Sequence, residues 1–189
     1  MIRPLEAAWE LHQFLTDHGI PYVIIRGLAV QYWGRPRLTV DVDLTVLAPP
    51  EGIADFVQMI VERFDSRVPD PVSFVRQARM MLVRASNGCE VDISLALPGY
   101  EDELVQRAVE WQLEPGKRVS LCSAEDLIIH KAVAGRPQDL ADIEGVVYRQ
   151  GDALDVGYIR RWLREFAAVL ENLKLIRRFE APWQKLHAL

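Results

Sequence analysis

Thr39-Val40-Asp41-Val42-Asp43-Leu44-Thr45-Val46 is the stretch on which the fold of this chain turns. Its valines, threonines and leucine predict a β-strand. Successive side chains on a strand point to opposite faces, so Val40, Val42 and Leu44 share one face and Asp41 and Asp43 the other. Two carboxylates on neighbouring same-face positions repel each other and lose hydration. A divalent cation relieves both penalties, because hard cations such as Mg²⁺ take one or two carboxylates together with substrate phosphates. The competing reading is a solvated strand face that carries two aspartates.

Upstream of this strand, residues 21–25 predict a short strand, Arg26-Gly27 a turn, and residues 28–33 a short helix closed by Gly34. A glycine at that turn allows close approach of the backbone to a ligand. The free N–H groups at the start of the next helix are a natural phosphate site. Before it, Leu5, Ala8, Trp9, His12 and Leu15 recur at helical spacing over residues 5–18, ended by Gly19. Downstream, Pro49-Pro50 interrupts the chain, residues 53–64 predict an amphipathic helix, and residues 66–71 a loop. Two strands, 79–84 and 89–97, follow, joined by Ala85-Ser86-Asn87-Gly88, in which Asn-Gly is a hairpin signal. Pro98-Gly99 opens a helix over 100–109, and 117–121 is the last strand. Everything after Cys122 predicts helix: 123–134, 137–148, and one long helix from 155 to about 179. The expected architecture is α/β (α+β): a core over 1–122 with a mixed sheet flanked by helices, and a helical C-terminal region, 123–189, packed on it.

Composition excludes several classes. With 189 residues, half of them hydrophobic and a quarter charged, the chain is long enough for a sizeable core. A net charge of −5 does not mark the whole chain as a nucleic-acid binder. From Gly151 onward, however, seven Lys/Arg stand against five Asp/Glu. Cys89 and Cys122 lie far apart with no metal-ligand spacing, which predicts a reducing cytoplasmic setting and no disulfide. No apolar leader and no run of 18 apolar residues is present, so secretion and membrane spanning are not expected. His12, His18, His130 and His187 form no metal pair or triad motif.

Three further places carry potential chemistry. Asp92 lies in Glu90-Val91-Asp92-Ile93-Ser94, on the face opposite Val91 and Ile93. If that strand lies beside the Asp41–Asp43 strand, three acids converge. Two would hold metal, and the third would bridge a second ion or accept a proton from an attacking hydroxyl. A polar outer face on a surface strand is the alternative. Lys131 falls among Ala124, Leu127 and Ile128 on a largely apolar helix. It either snorkels to water or points into a cleft as a point charge for polyphosphate. Ser123-x-x-Asp126 is a capping pattern, Gly135 ends that helix, and Pro137 starts the next. Asp139 and Asp142, at i and i+3, either neutralise Arg136 or Lys131 or favour the helix N-terminus. On the last helix Ile159, Trp162, Leu163, Phe166, Leu170, Leu173 and Ile176 form a stripe suited to core or a partner. Arg160, Arg161, Arg164, Arg177 and Arg178 lie off it, as a solvated or RNA-contacting face.

Strand, glycine turn, short helix, Asp-x-Asp on a strand and a later single Asp on a strand together resemble the nucleotidyltransferase superfamily with the DNA polymerase β-like fold. The carriers are Ile25-Arg26-Gly27-Leu28-Ala29-Val30 and Thr39-Val40-Asp41-Val42-Asp43-Leu44. The block from Ser123 to Lys131, followed by Gly135-Arg136-Pro137-Gln138-Asp139-Leu140-Ala141-Asp142, is similar to that of the abortive-infection toxin-type nucleotidyltransferases of type IV toxin–antitoxin pairs, and of small uncharacterised relatives. The resemblance covers roughly residues 20–150. It implies a nucleotidyltransferase fold and Mg²⁺- or Mn²⁺-dependent transfer of a nucleoside monophosphate from an NTP to a hydroxyl. It assigns the metal-binding and catalytic carboxylates to Asp41, Asp43 and Asp92, the glycine turn to Gly27, and the helix lysine and aspartates to Lys131, Asp139 and Asp142. The turn in that family usually reads Gly-Gly or Gly-Ser; its first position here is Arg26, a residue suited to phosphate. The implied acceptor is RNA, a protein or a small molecule such as an aminoglycoside. The implied partner is a cognate antitoxin; a second copy through the C-terminal helix is what its apolar stripe offers, apart from the resemblance. A catalytically inactive module of the same fold, acting as an antitoxin or binding partner, is the alternative that Arg26 favours.

Overall fold

The computed structural model describes residues 2–48 and 51–188. The break expected at Pro49-Pro50 lies outside the described residues. The chain divides into two compact units: residues 1–28 with 38–122, and residues 29–37 with 123–189.

The first unit is built on a mixed seven-stranded sheet. Its strands are β1 (Tyr22–Ile25), β2 (Asp41–Val46), β3 (Asp65–Ser66), β4 (Met80–Arg84), β5 (Glu90–Leu95), β6 (Val109–Glu114) and β7 (Lys117–Leu121). They lie in the order β3-β4-β5-β2-β1-β7-β6. β2 pairs with β5, and β1 with β7, in parallel; the other pairs are antiparallel. Val42, Leu44, Val91 and Ile93 are fully buried, as alternation requires for a sheet with one face in the core. Val40 precedes β2 and is exposed, so the inward face begins at Val42. Among the described residues, the helices wholly in this unit are α1 (Arg3–Asp17), α3 (Ile53–Arg63), α4 (Pro71–Ala78) and α5 (Tyr100–Gln106).

α2 (Arg26–Trp33) starts in the first unit and ends in the second. Residues 29–37 fall inside the range expected for the core, yet they cluster with the helical unit. There Arg149 and Gln150 donate to the carbonyls of Gly34 and Trp33, each at 2.8 Å. The helices α6 (Ala124–Ala134), α7 (Pro137–Gln150), α8 (Val156–Val169) and α9 (Lys174–His187) complete that unit around Leu127, Ile128, Ile143, Val146, Ile159, Leu163 and Phe179. Ser123 caps α6, accepting from the Asp126 amide at 3.1 Å. None of the described helices is long and apolar enough to cross a membrane.

Three expectations are corrected. Of the stretch expected as loop, Ser66 belongs to β3 and Pro71 begins α4, which Asp70 caps by accepting from the Ser73 amide at 3.0 Å. The helix expected over 100–109 ends at Gln106, and β6 follows it as a sheet edge paired to β7. The long helix from 155 is two helices. Glu171 takes a left-handed backbone (φ 50°) between α8 and α9, and Leu170 and Leu173 of the expected apolar stripe are 51% and 73% exposed. Those leucines keep the helical period running across the break, which hides it in the sequence.

Candidate active site

The parallel pairing of β2 with β5 sets Asp43 directly beside Asp92, and Asp41 beside Glu90. Asp41 and Asp43 lie two residues apart on one strand face, so Asp41, Asp43 and Asp92 share one face of two paired strands. β1 runs antiparallel to β2 with Ile25 opposite Asp43, which delivers the start of α2 to the same place.

At that start Arg26 has φ of 56°, a left-handed backbone that is rare for a residue with a Cβ. Its guanidinium donates to Asp43 at 2.8 Å. Gly27 follows, and a Cβ there would stand 2.4 Å from the Thr39 hydroxyl oxygen, so the position admits glycine alone without rearrangement. Thr39 is itself buried and donates to Asp41 at 2.9 Å. On the far side Arg67 bridges Asp92 at 2.6 Å and Glu90 at 2.8 Å. Burial, joined by the charges of Asp41 and Asp92, raises the Asp43 carboxyl to about 6 even though Arg26 pulls the other way. The Asp43 carboxyl therefore holds its proton more tightly than an ordinary aspartate does.

The donor set is all carboxylate oxygen, which suits a hard divalent cation that completes its shell with phosphate oxygens and water. Among the described residues no three Asp, Glu, His or Cys side chains stand grouped to hold a metal ion by themselves. Asp43 and Asp92 are instead engaged by guanidinium groups, and Asp41 is exposed. The residues fit a cation held by two carboxylates and a triphosphate, and they do not form a closed protein cage.

A second charged cluster lies within the helical unit. Lys131, only 4% exposed, contacts Asp139 at 2.9 Å and Asp142 at 2.8 Å. Arg136 joins Asp139 at 2.8 Å, and Arg37 grips Asp142 with two hydrogen bonds, 3.1 and 3.2 Å. Burial pushes both carboxyls up. The hydrogen bonds from Arg136 and Lys131 at Asp139, and from Arg37 and Lys131 at Asp142, outweigh it and hold both below the usual carboxylate value. Lys131, for which snorkelling and a cleft point charge are both open from the sequence, is the buried centre of this network, and Asp139 and Asp142 neutralise it. The expected residues thus fall into two groups: Arg26, Gly27, Asp41, Asp43 and Asp92 in the first unit, and Lys131, Asp139 and Asp142 in the second.

Sequence reasoning missed Arg67, Thr39 and Arg37. For Arg67 the one available signal is Glu90 two residues before Asp92, a same-face acid pair that calls for a cation. Thr39 and Arg37 carry no sequence signal, since their partners are set by tertiary contact.

The family described as nucleotidyl transferase of unknown function (DUF2204) matches residues 5–178. No curated protein matches the chain. Among solved structures, an antigenic nucleotidyltransferase-like protein from Paracoccidioides brasiliensis shares 19% identity over 93% of this chain and 91% of its own, with a TM-score of 0.56. The antibiotic-resistance factor ANT(2'')-Ia shares 19% over 88% and 95%, with a TM-score of 0.57. The lincosamide antibiotic adenylyltransferase LnuA, solved with lincomycin bound, shares 11% over 75% and 94%, with a TM-score of 0.51. At these identities the likeness is one of fold: this chain has the nucleotidyltransferase fold.

Proposed function

The chain belongs to the nucleotidyl transferase family matched over residues 5–178, and from that premise we propose that it moves a nucleoside monophosphate from an NTP to a hydroxyl acceptor. The observation that carries this reading is the register that sets Asp43 beside Asp92, with Asp41 on the same face and Gly27, in the first turn of α2, adjacent. Asp41 and Asp43 are the residues that would hold a divalent cation, Mg²⁺ or Mn²⁺, which when bound neutralises charge on the triphosphate. Gly27 and the amides after it offer donors to phosphate oxygens. Asp92 takes the proton of the acceptor hydroxyl as its oxygen bonds to the α-phosphorus. The bond from that phosphorus to the oxygen bridging toward the β-phosphate breaks, and pyrophosphate leaves. Arg67, held by Asp92 and Glu90, positions Asp92 for this role.

The acceptor belongs to the same proposal. Two similar folds, ANT(2'')-Ia and LnuA, are named for antibiotic resistance and lincosamide adenylylation, which favours a small polar molecule over RNA or protein. A toxin role with a cognate antitoxin rests on the sequence resemblance alone, and growth arrest on expression tests it.

The Asp41→Ala/Asp43→Ala variant is expected to lose Mg²⁺-dependent NTP binding and labelled-NMP transfer to a panel of acceptors. Equal NTP binding by wild type and variant would sink the site assignment. A second reading, a non-catalytic binding module, is favoured by the ion pair of Arg26 with Asp43. Metal-dependent NTP binding without transfer to any acceptor class is its signature.

A further inference from the structure

Nucleotide transfer does not in itself call for the contact between Arg26 and Asp43. Arg26 sits in a left-handed backbone (φ 56°) that glycine would adopt freely and that an L-residue adopts at a penalty. The chain bears that strain at the residue whose side chain reaches Asp43 at 2.8 Å. The two partners differ in freedom. The Asp43 side chain is 10% exposed, on a strand paired on both sides, whereas the Arg26 side chain is 44% exposed on a long flexible stem. Arg26 is therefore the member that moves. A guanidinium and a divalent cation on one carboxylate repel each other, so occupancy of Asp43 by one disfavours the other. A freed guanidinium has a matching partner in phosphate oxygens, which it meets with paired hydrogen bonds.

We propose that Arg26 is an exchange residue that closes the cation position at Asp43 in the free protein and transfers to polyphosphate when that binds, which opens the position to the cation. The proposal rests on the reading of Asp41 and Asp43 as the cation pair. It makes cation and polyphosphate binding cooperative through one side chain. It also means that removing Arg26 moves the two ligands in opposite directions: the cation alone binds tighter, and polyphosphate alone binds weaker.

The test uses the full chain as wild type, Arg26→Gln, Arg26→Gly and Asp43→Asn. Free Mn²⁺ is read by electron paramagnetic resonance, and binding of inorganic tripolyphosphate without metal by calorimetry. Arg26→Gln and Arg26→Gly are expected to bind Mn²⁺ about tenfold tighter and tripolyphosphate about tenfold weaker, the scale of one charge-assisted contact. Arg26→Gly also relieves the backbone, so agreement of the two variants separates the side chain from the turn. Asp43→Asn is expected to weaken Mn²⁺ binding. If Asp43→Asn weakens Mn²⁺ while the Arg26 variants bind it no tighter than wild type, the exchange is wrong and the cation site stands. If Asp43→Asn binds Mn²⁺ like wild type, the site reading fails and the exchange fails with it. Unchanged tripolyphosphate binding in both Arg26 variants overturns the transfer to phosphate.

Discussion

Gly27 and Thr39 meet where a methyl group would otherwise sit. A Cβ at Gly27 would lie 2.4 Å from the Thr39 hydroxyl oxygen and 3.1 Å from its Cβ. Gly27→Ala is expected to destabilise by about 1–3 kcal/mol through this overlap. Thr39→Ala in the same chain should restore part of the loss, a coupling read by denaturant melts of the double-mutant cycle. Additive losses would mean that the overlap is relieved elsewhere. Asp43 supplies a second residue-scale prediction. Burial pushes its folded carboxyl up to about 6, well above the ordinary aspartate range. The folded state therefore holds the proton more tightly than the unfolded chain. The stability linked to that proton is fully present below about pH 4 and is lost as pH rises through about 6. Asp43→Asn removes this dependence. Relative to wild type it should gain about 1–3 kcal/mol between pH 4 and pH 8, measured by urea unfolding at both. A pH-independent difference would contradict the burial argument. The aspartates of this site were legible because alternation on a strand is a local rule. Arg67 was not, because nothing in the spacing of residues 67 and 92 announces an ion pair.

At the level of elements, the site depends on one pairing. β5 could have joined the sheet anywhere, and only its parallel register with β2 brings Asp92 to Asp43. The hairpin of β4 and β5 was readable from Asn87-Gly88; the choice of β2 as the next neighbour was not. α4 had a signal in Asp70-Pro71, while β6 is an edge strand recruited by its partner β7. In the helical unit Lys131 ties α6 to α7 through Asp139 and Asp142. Lys131→Met leaves both buried carboxylates short of a partner, with Arg136, Arg37 and Gln138 remaining. A loss of roughly 3–5 kcal/mol is expected, the scale for breaking a buried pair from one side. Thermal and urea unfolding check it. A loss under 1 kcal/mol would show that the remaining donors suffice.

For the whole molecule, the units do not follow chain order. Residues 29–37 sit in the sequence between two segments of the first unit, yet they cluster with 123–189. Gly34 and Gly145 mark the fit within the helical unit, where a Cβ would meet Val146 at 3.1 Å and Arg35 at 3.2 Å respectively. A fragment of residues 1–122 therefore keeps the sheet but strands the second half of α2 and the segment after it. It is expected to lack a cooperative unfolding transition, as measured by calorimetry; a sharp transition would show that the core folds alone. Local pattern was enough for the strands that carry Asp41, Asp43 and Asp92, the Ser123 cap and the family. Each rests on periodicity or turn chemistry within a few residues. Tertiary structure alone decided that Asp92 lies beside Asp43, that Arg26 and Arg67 occupy those carboxylates, and that Lys131 is buried between two aspartates. Those are contacts between residues distant in the chain, fixed by strand order and helix packing, which local pattern does not encode.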